Sequence, residues 1–416
     1  MQNNFKQYTL FGILMLTLRI EDRMKMKKRI IILGVLCAVL LSASAQSKGR
    51  KRVVTKPKDA TTLLREKQEA LFEEMLDNTR ETFVVDSVVV DADKAIEAIN
   101  IPADLGRMVA YNDVFNDKQL PGTYAYLNGL GNKCWYAECD TTGSAKVYCR
   151  EKLGGKWSAR QQVSGIGDEL THINYPFMTS DGETFYFAAK STDGLGGYDL
   201  YVTRYDADEG QFLAAENVGL PFNSFDDDLI YAEDDVHGFA WLVSNRRQPE
   251  GKACVYIIKT AEKRTNYDSD ELDDSKLKSL ARIGRIRDTW PTPEIRDEAL
   301  KQYKTLGMAS SSASAKGSGD EIFYVDNELS ISSADDCPNS TSRGIYSNLQ
   351  KLKEQKQQLR TQLDSLRSQY HSAARSARNT LAPRIKQAEN DINTLTQNIK
   401  TQASKLRESI LKSSKK

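Results

Sequence analysis

Two periodicities divide this chain. From 185 to 205 aromatic residues alternate with small or polar ones: Phe185-Tyr186-Phe187-Ala188-Ala189-Lys190, a Gly-rich turn, then Tyr198-Asp199-Leu200-Tyr201-Val202-Thr203-Arg204-Tyr205. A period of two sends successive side chains to opposite faces, which predicts a β-hairpin packed on both sides. The same outline recurs at 131–152 and 236–259. Tyr148, Tyr201 and Tyr256 fall at matching places in the second arm of each unit, 53 and 55 residues apart. From 345 to about 411 the spacing changes to three and four. Leu349, Leu352, Leu359, Leu363, Leu366, Tyr370 and Ala373 form one stripe, with Lys356 at a seam position. Ile385, Ala388, Ile392, Leu395, Ile399, Ala403, Leu406 and Ile410 form a second. So narrow a seam on a polar helix needs a partner strand, so 344–412 reads as a coiled coil or helical hairpin. Pro383 either starts a second helix or kinks one long one, and 371–379 is the expected bend.

A repeat near 50 residues with two or more strands per unit predicts propeller blades. The expected fold is therefore a mainly β, propeller-like domain over 119–263 with about three recognisable blades, followed by the C-terminal α-helical coiled coil. Asp181-Gly182 and Gly194 to Gly197 are read as positive-φ turn positions. A phosphate-cradling loop would need a helix after the glycines, and a strand follows. The flanks are less regular. Residues 61–118 predict helix (61–79, with Leu64, Leu71 and Met75 on one stripe), strand (82–90) and helix (91–101). Residues 264–307 predict short helices at 273–286 and 293–303, and 308–343 a Ser/Gly linker with a short strand at 321–331.

The N-terminus changes the picture most. From Met24 the chain has a basic start, an apolar run over 30–41 and Ala43-Ser44-Ala45. That is a signal peptide over 1–45, cleaved after Ala45, with translation starting at Met24 or Met26. It predicts a periplasmic or outer-membrane-associated protein, with a basic linker over 46–60. Val35-Leu36 before Cys37 are not the small residues that a lipid-anchoring site requires. No later segment is apolar for long enough to span a membrane. The net charge of +1 argues against a nucleic-acid partner, but the total conceals a split. Residues 119–262 hold 21 Asp/Glu against 12 Lys/Arg, and 344–416 hold 15 Lys/Arg against 5 Asp/Glu. The basic tail invites an anionic partner, set against the plainer reading of a solvated coiled-coil exterior.

Candidate chemistry is sparse. Five cysteines follow the cleavage site, Cys134, Cys139, Cys149, Cys254 and Cys337. Hairpin register sets Cys139 opposite about position 145 and leaves Cys149 out of disulfide reach, so buried small apolar residues are expected. His172 in a loop beside Asp168 and Glu169, His237, and His371 on the coil lack any nucleophile or metal-site spacing. The acidic runs Asp226-Asp227-Asp228 and Glu233-Asp234-Asp235 lack the spacing of a calcium loop and are read as solvated turns. No catalytic residue, metal or cofactor is expected.

The best-preserved repeat resembles the PD40 (WD40-like, Tol-type) family on Pro176, Phe177, Asp181, Gly182, Gly196, Gly197, Tyr198 and Asp199, with 216–224 and 245–257 similar to its inter-repeat segments. The resemblance covers roughly 120–260. The first repeat lacks the Asp-Gly turn, the third has Val236-His237-Gly238 in its place, and no OmpA-like segment follows. It implies an exported, non-enzymatic interaction or scaffold protein of the Bacteroidetes cell envelope. An envelope protein would sit on the propeller surface, and the coiled coil would mediate homo-oligomeric assembly. The alternatives are a glycan or cell-wall-fragment module using Trp135 and Trp241, and a hydrolase with an unrecognised site, which converging perturbed carboxylates would reveal. The matched residues and the three tyrosines are read as structural landmarks.

Overall fold

A computed structural model describes residues 59–167, 169–261, 263–312, 323–325 and 329–414 of the 416. The signal peptide, its cleavage point and the linker up to 58 lie outside the described residues, as does Asp168. Helix α1 (Ala60–Met75) leads to strand β1 (Phe83–Asp91). Sheet I then gathers β2 (Arg107–Ala110), β3 (Tyr124–Leu127), β4 (Lys133–Cys139), β5 (Ala145–Leu153), β6 (Lys156–Trp157) and β7 (Gln161–Val163). Sheet II holds β8 (Thr171–Met178), β9 (Thr184–Lys190), β10 (Asp199–Asp206), β11 (Gln211–Phe212) and β12 (Glu216–Asn217). Sheet III is β13 (Asp228–Asp234), β14 (Phe239–Ser244) and β15 (Lys252–Lys259), with β1 pairing along β15 as its fourth strand. Every ladder in the three sheets is antiparallel.

The repeated hairpins share one register. Tyr148 lies opposite Tyr136, Tyr201 opposite Phe187, and Tyr256 opposite Leu242. On their other side the three tyrosines meet Gln162, Asn217 and Ser87, each on a further strand. The alternation of the sequence buries both faces of the middle strands: in β9 everything from Phe185 to Ala189 is buried. Aromatic rings from different sheets meet there, as in Trp135–Phe212 at 5.7 Å and Tyr186–Tyr231 at 4.8 Å.

The propeller expectation is overturned. The described residues form three separate stacked sheets and no closed ring, so the fold is mostly antiparallel β with a C-terminal helical region. Sheet II lies in the middle, with β8 against β3, β4 and β5 of sheet I, and β8, β9 and β10 against β13 of sheet III. Three units are too few to close on themselves. Helix α2 (Asp274–Ala281) packs on α1, and the outer face of sheet III is covered instead by helix α3 (Pro293–Ser312), where the Trp241 indole N–H donates to the Tyr303 hydroxyl at 3.0 Å. The outer face of sheet I is covered by the 111–120 loop, through Tyr111 and Phe115 against Tyr136.

Smaller corrections follow the same logic. The stretch read as a helix over 91–101 is a short 3₁₀ turn and bends that bury Ala95 and Ile99. The strand at 82–90 is not part of a separate N-terminal segment but completes sheet III. Near 321–331 a two-stranded ladder, β16 (Phe323–Tyr324) with β17 (Ser330–Ile331), packs on the helical tail.

That tail is an antiparallel hairpin of α4 (Ser340–Ser372) and α5 (Arg375–Ser414), turning at Ala373-Ala374, with Pro383 inside α5. Asn339 caps α4 and also donates to Ser413 at 2.6 Å, locking the two ends together. Leu349, Ile399, Leu406 and Ile410 fill the seam at one end; Leu363, Ile385 and Ile392 fill it at the other, joined by Leu130 and Leu153 of sheet I. The seam is occupied within one molecule. No helix among the described residues is long and apolar enough to cross a membrane.

Candidate functional site

The landmark residues do not come together in one place. Asp181 organises the β8–β9 turn, accepting the N–H groups of Glu183 and Thr184 and the Thr179 hydroxyl at 2.6–2.9 Å, and Gly182 takes φ +71° there. Gly194, Gly196 and Gly197 do not adopt positive φ. They are needed for closeness: a Cβ on Gly196 would lie 2.1 Å from the Asp226 carbonyl oxygen, and one on Gly197 2.2 Å from Asp227 Oδ1. Here the acidic loop of sheet III seats on sheet II. The Tyr198 N–H donates to Asp227 Oδ1 at 2.9 Å, and Asp199 accepts from Leu195 and Gly196 at 2.6 and 3.0 Å. Burial pushes the Asp199 carboxyl up to about 6, against those backbone donors.

The acidic runs are only in part solvated turns: Asp226 is exposed, but the others are half-buried or buried. Asp228 is fully buried on Arg246 at 2.6 Å, and that guanidinium also donates to the Pro221 and Phe222 carbonyls. Asp234, also buried, accepts from His237 Nδ1 at 2.7 Å and from the Val236 and His237 N–H groups. Glu233 meets the Tyr186 hydroxyl at 3.2 Å, and Asp235 pairs with Lys400 of α5. Among the described residues no group of three or more His, Cys, Asp or Glu is placed to hold a metal. All five described cysteines are free, and Cys139 stands opposite Ala145 as the register predicts.

The basic tail finds its acidic partner in its own chain. Arg367 donates to the Leu130 carbonyl at 3.1 Å, Gln397 to that of Asp181, and Arg407 to that of Val236 at 3.0 Å; Lys400 lies 3.6 Å from Asp181. These acceptors sit on the β3–β4, β8–β9 and β13–β14 turns, the corresponding turn of each sheet. Lys356, the seam lysine, is 3.7 Å from Asp104, its charge disfavoured by burial. The hairpin is a strap across one end of the stack.

A polar cavity is open to solvent on sheet I. On the outer face of sheet I, where the 111–120 loop covers the strands incompletely, Tyr111, Asp117, Lys118, Glu138, Arg150 and Arg160 enclose about 350 Å³. That is within the range of small-ligand sites. Glu138 at the end of β4 is gripped by Lys118 at 2.7 Å and by Arg160 at 2.6 Å. Burial works to raise its pKa, but the two cations prevail and hold the carboxyl below the ordinary range. Arg150 on β5 pairs with Asp117, donates to Tyr136 at 3.0 Å and lies 4.3 Å over the Phe115 ring. Asp117 is likewise held low, its partial burial outweighed by Arg150 and Tyr111. Tyr148 flanks this cleft, stacked on Tyr136 and carrying Arg160 4.9 Å above its ring; Tyr201 and Tyr256 lie buried in the other sheets. Sequence reasoning passed over the cleft because Asp117, Lys118 and Arg160 fall in stretches that read as connections.

No protein-family model, no curated protein and no solved structure matches this chain.

Proposed function

We propose that this is an exported, non-enzymatic interaction protein that holds a protein partner at the cleft on sheet I. The observation that carries the reading is the cleft itself, a ligand-sized polar cavity whose charges are already fixed in pairs while their outer atoms remain open to solvent. Two carboxylates, Glu138 and Asp117, do share it. Both are held ionised by adjacent cations, which weakens each as a proton acceptor and denies it a proton to donate near neutral pH. The recurrence of one hairpin register in three sheets supports kinship with PD40-type repeats, and the 24–45 stretch supports export to the periplasm or outer membrane. The glycan alternative loses its expected platforms, since Trp135 and Trp241 are core residues and Arg160 covers the exposed face of Tyr148. Assembly of several copies through the tail would have to use the outer polar face of the hairpin, because the seam is filled.

Site-specific photo-cross-linking tests this. A benzophenone side chain at Ala159, on the cleft wall, should trap one discrete envelope protein in the cells that make this chain. Absence of any cross-linked protein, or turnover of a small substrate by the purified chain, would sink the proposal.

A further inference from the structure

The chemistry of that cleft also selects what it holds. Resting on the interaction reading above, we infer that the cleft is a carboxylate-binding site for an acidic peptide segment of the partner. Three cations line the cavity, Lys118, Arg150 and Arg160, against two carboxylates, Asp117 and Glu138. The surplus is localised. Arg150 and Asp117 neutralise each other, whereas Lys118 and Arg160 converge on the single carboxylate of Glu138.

Donor accounting gives the same answer. Arg160 reaches both Glu138 oxygens with Nη1 alone, leaving Nη2 and Nε without a hydrogen-bond acceptor among the described residues. Lys118 likewise commits one of its donors, to Glu138. Their side chains are 45% and 49% exposed, so the unused N–H groups face water at the cleft mouth, while Glu138 beneath is 9% exposed. Glu138 thus holds both cations on one carboxylate while about half of each cationic side chain remains exposed. An incoming carboxylate can accept from both at once, the charge-assisted geometry that fixes a ligand most firmly. A surplus of one positive charge suits a monoanion. A phosphate dianion would bring a second negative charge toward Glu138 and Asp117, and a basic or neutral segment would leave the outward donors unanswered.

The experiment is fluorescence anisotropy of the full mature chain with an N-terminally labelled, C-terminally amidated Ala-Glu-Ala-Glu-Ala peptide, a Gln-substituted control and a phosphoserine version, both amidated likewise. The acidic peptide should bind at low ionic strength and the Gln control should not. Arg160→Ala and Lys118→Ala should each weaken binding about tenfold, as expected for loss of one charge-assisted contact, with Lys118→Arg restoring most of it. Both side chains are half-exposed, and an unchanged circular-dichroism spectrum and melting temperature would show that the fold is intact. Equal binding of the Glu and Gln peptides, tighter binding of the phosphoserine peptide, or indifference to both substitutions would overturn the inference. The two readings fail separately. If cross-linking at Ala159 still traps a protein in Arg160→Ala cells while the acidic peptide does not bind, the interaction role stands and the carboxylate chemistry falls. If no protein is trapped by the wild-type cleft, the interaction role itself fails.

Discussion

Arg246–Asp228 and Arg160–Glu138 are both arginine–carboxylate pairs at 2.6 Å on a buried carboxylate, in two places that differ in the exposure of the arginine. The first lies between sheets II and III, with both side chains almost wholly buried and the guanidinium also bonded to two backbone carbonyls. The second stands on the outer face of a terminal sheet, its arginine half-exposed and most of its donors unused. The contrast teaches how to separate a structural charge from an available one. At the junction every donor and acceptor is answered inside the protein, so the pair holds sheets together and has nothing left to offer. At the cleft the carboxylate is answered and the cations are not. Proximity and charge alone would have ranked the two equally.

The sharpest way to break the comparison is to remove one partner from each pair. Arg246→Ala leaves Asp228 buried without its counter-ion, and should lower unfolding free energy by about 3–5 kcal/mol in urea titrations. A loss of under 1 kcal/mol would mean that water reaches this junction. The neighbouring carboxyl adds a pH signature. Because Asp199 has its folded value raised to about 6 from an ordinary 3.8, the folded state holds its proton more tightly than the unfolded chain. Its contribution to stability is therefore complete below about pH 4 and lost as pH rises through 6, a change of about 3 kcal/mol. Carbon-13 titration of the Asp199 carboxyl should show the high midpoint, and a midpoint near 4 would show that the site is wet. Gly196→Ala forces a methyl group against the Asp226 carbonyl and should cost about 1–3 kcal/mol as an overpacking change, read as a lower urea midpoint. At the other end of the scale, Arg160→Ala should change stability by less than about 1 kcal/mol, as exposed pairs do, while weakening the Ala159 cross-link. Lys400→Ala falls nearby in size, at about 1 kcal/mol, with faster amide exchange confined to the 179–183 and 235–238 turns.

How much of this could be read beforehand follows from the range of the interactions involved. The hairpins, their matched tyrosines, the Cys139–Ala145 register and the bend near 371–379 were legible, because each rests on neighbours a few residues apart or on a regular period. The propeller-like blade arrangement was not borne out. Local alternation describes a strand's two faces but carries no information on how many units stack or what covers the last one. Tyr303 on α3 and Phe115 in a loop cover the two ends, and no periodicity marks either. The acidic runs misled for a related reason: Asp228 reads as a surface residue until Arg246, 18 positions on, is brought against it. The charge split between sheets and tail was visible as a number. Its meaning, a strap bound to its own sheets through Lys400 and Asp235, required the fold. The cleft was invisible because it is the place where a covering loop falls short.

The pairing of β1 with β15 has a consequence in time. Synthesis delivers β1 first and its partner only after about 160 further residues, from Asp91 to Lys252. Until then Val84 and Val85, destined for complete burial, and the Val88-Val89-Val90 run have no sheet to join. Sheets I and II can form from local hairpins as they emerge; sheet III cannot finish until its first strand has waited for its last. Such long-range closure is slow and leaves a sticky β segment uncovered meanwhile. The step at which a chaperone would matter most to this protein is thus the wait of one nine-residue strand.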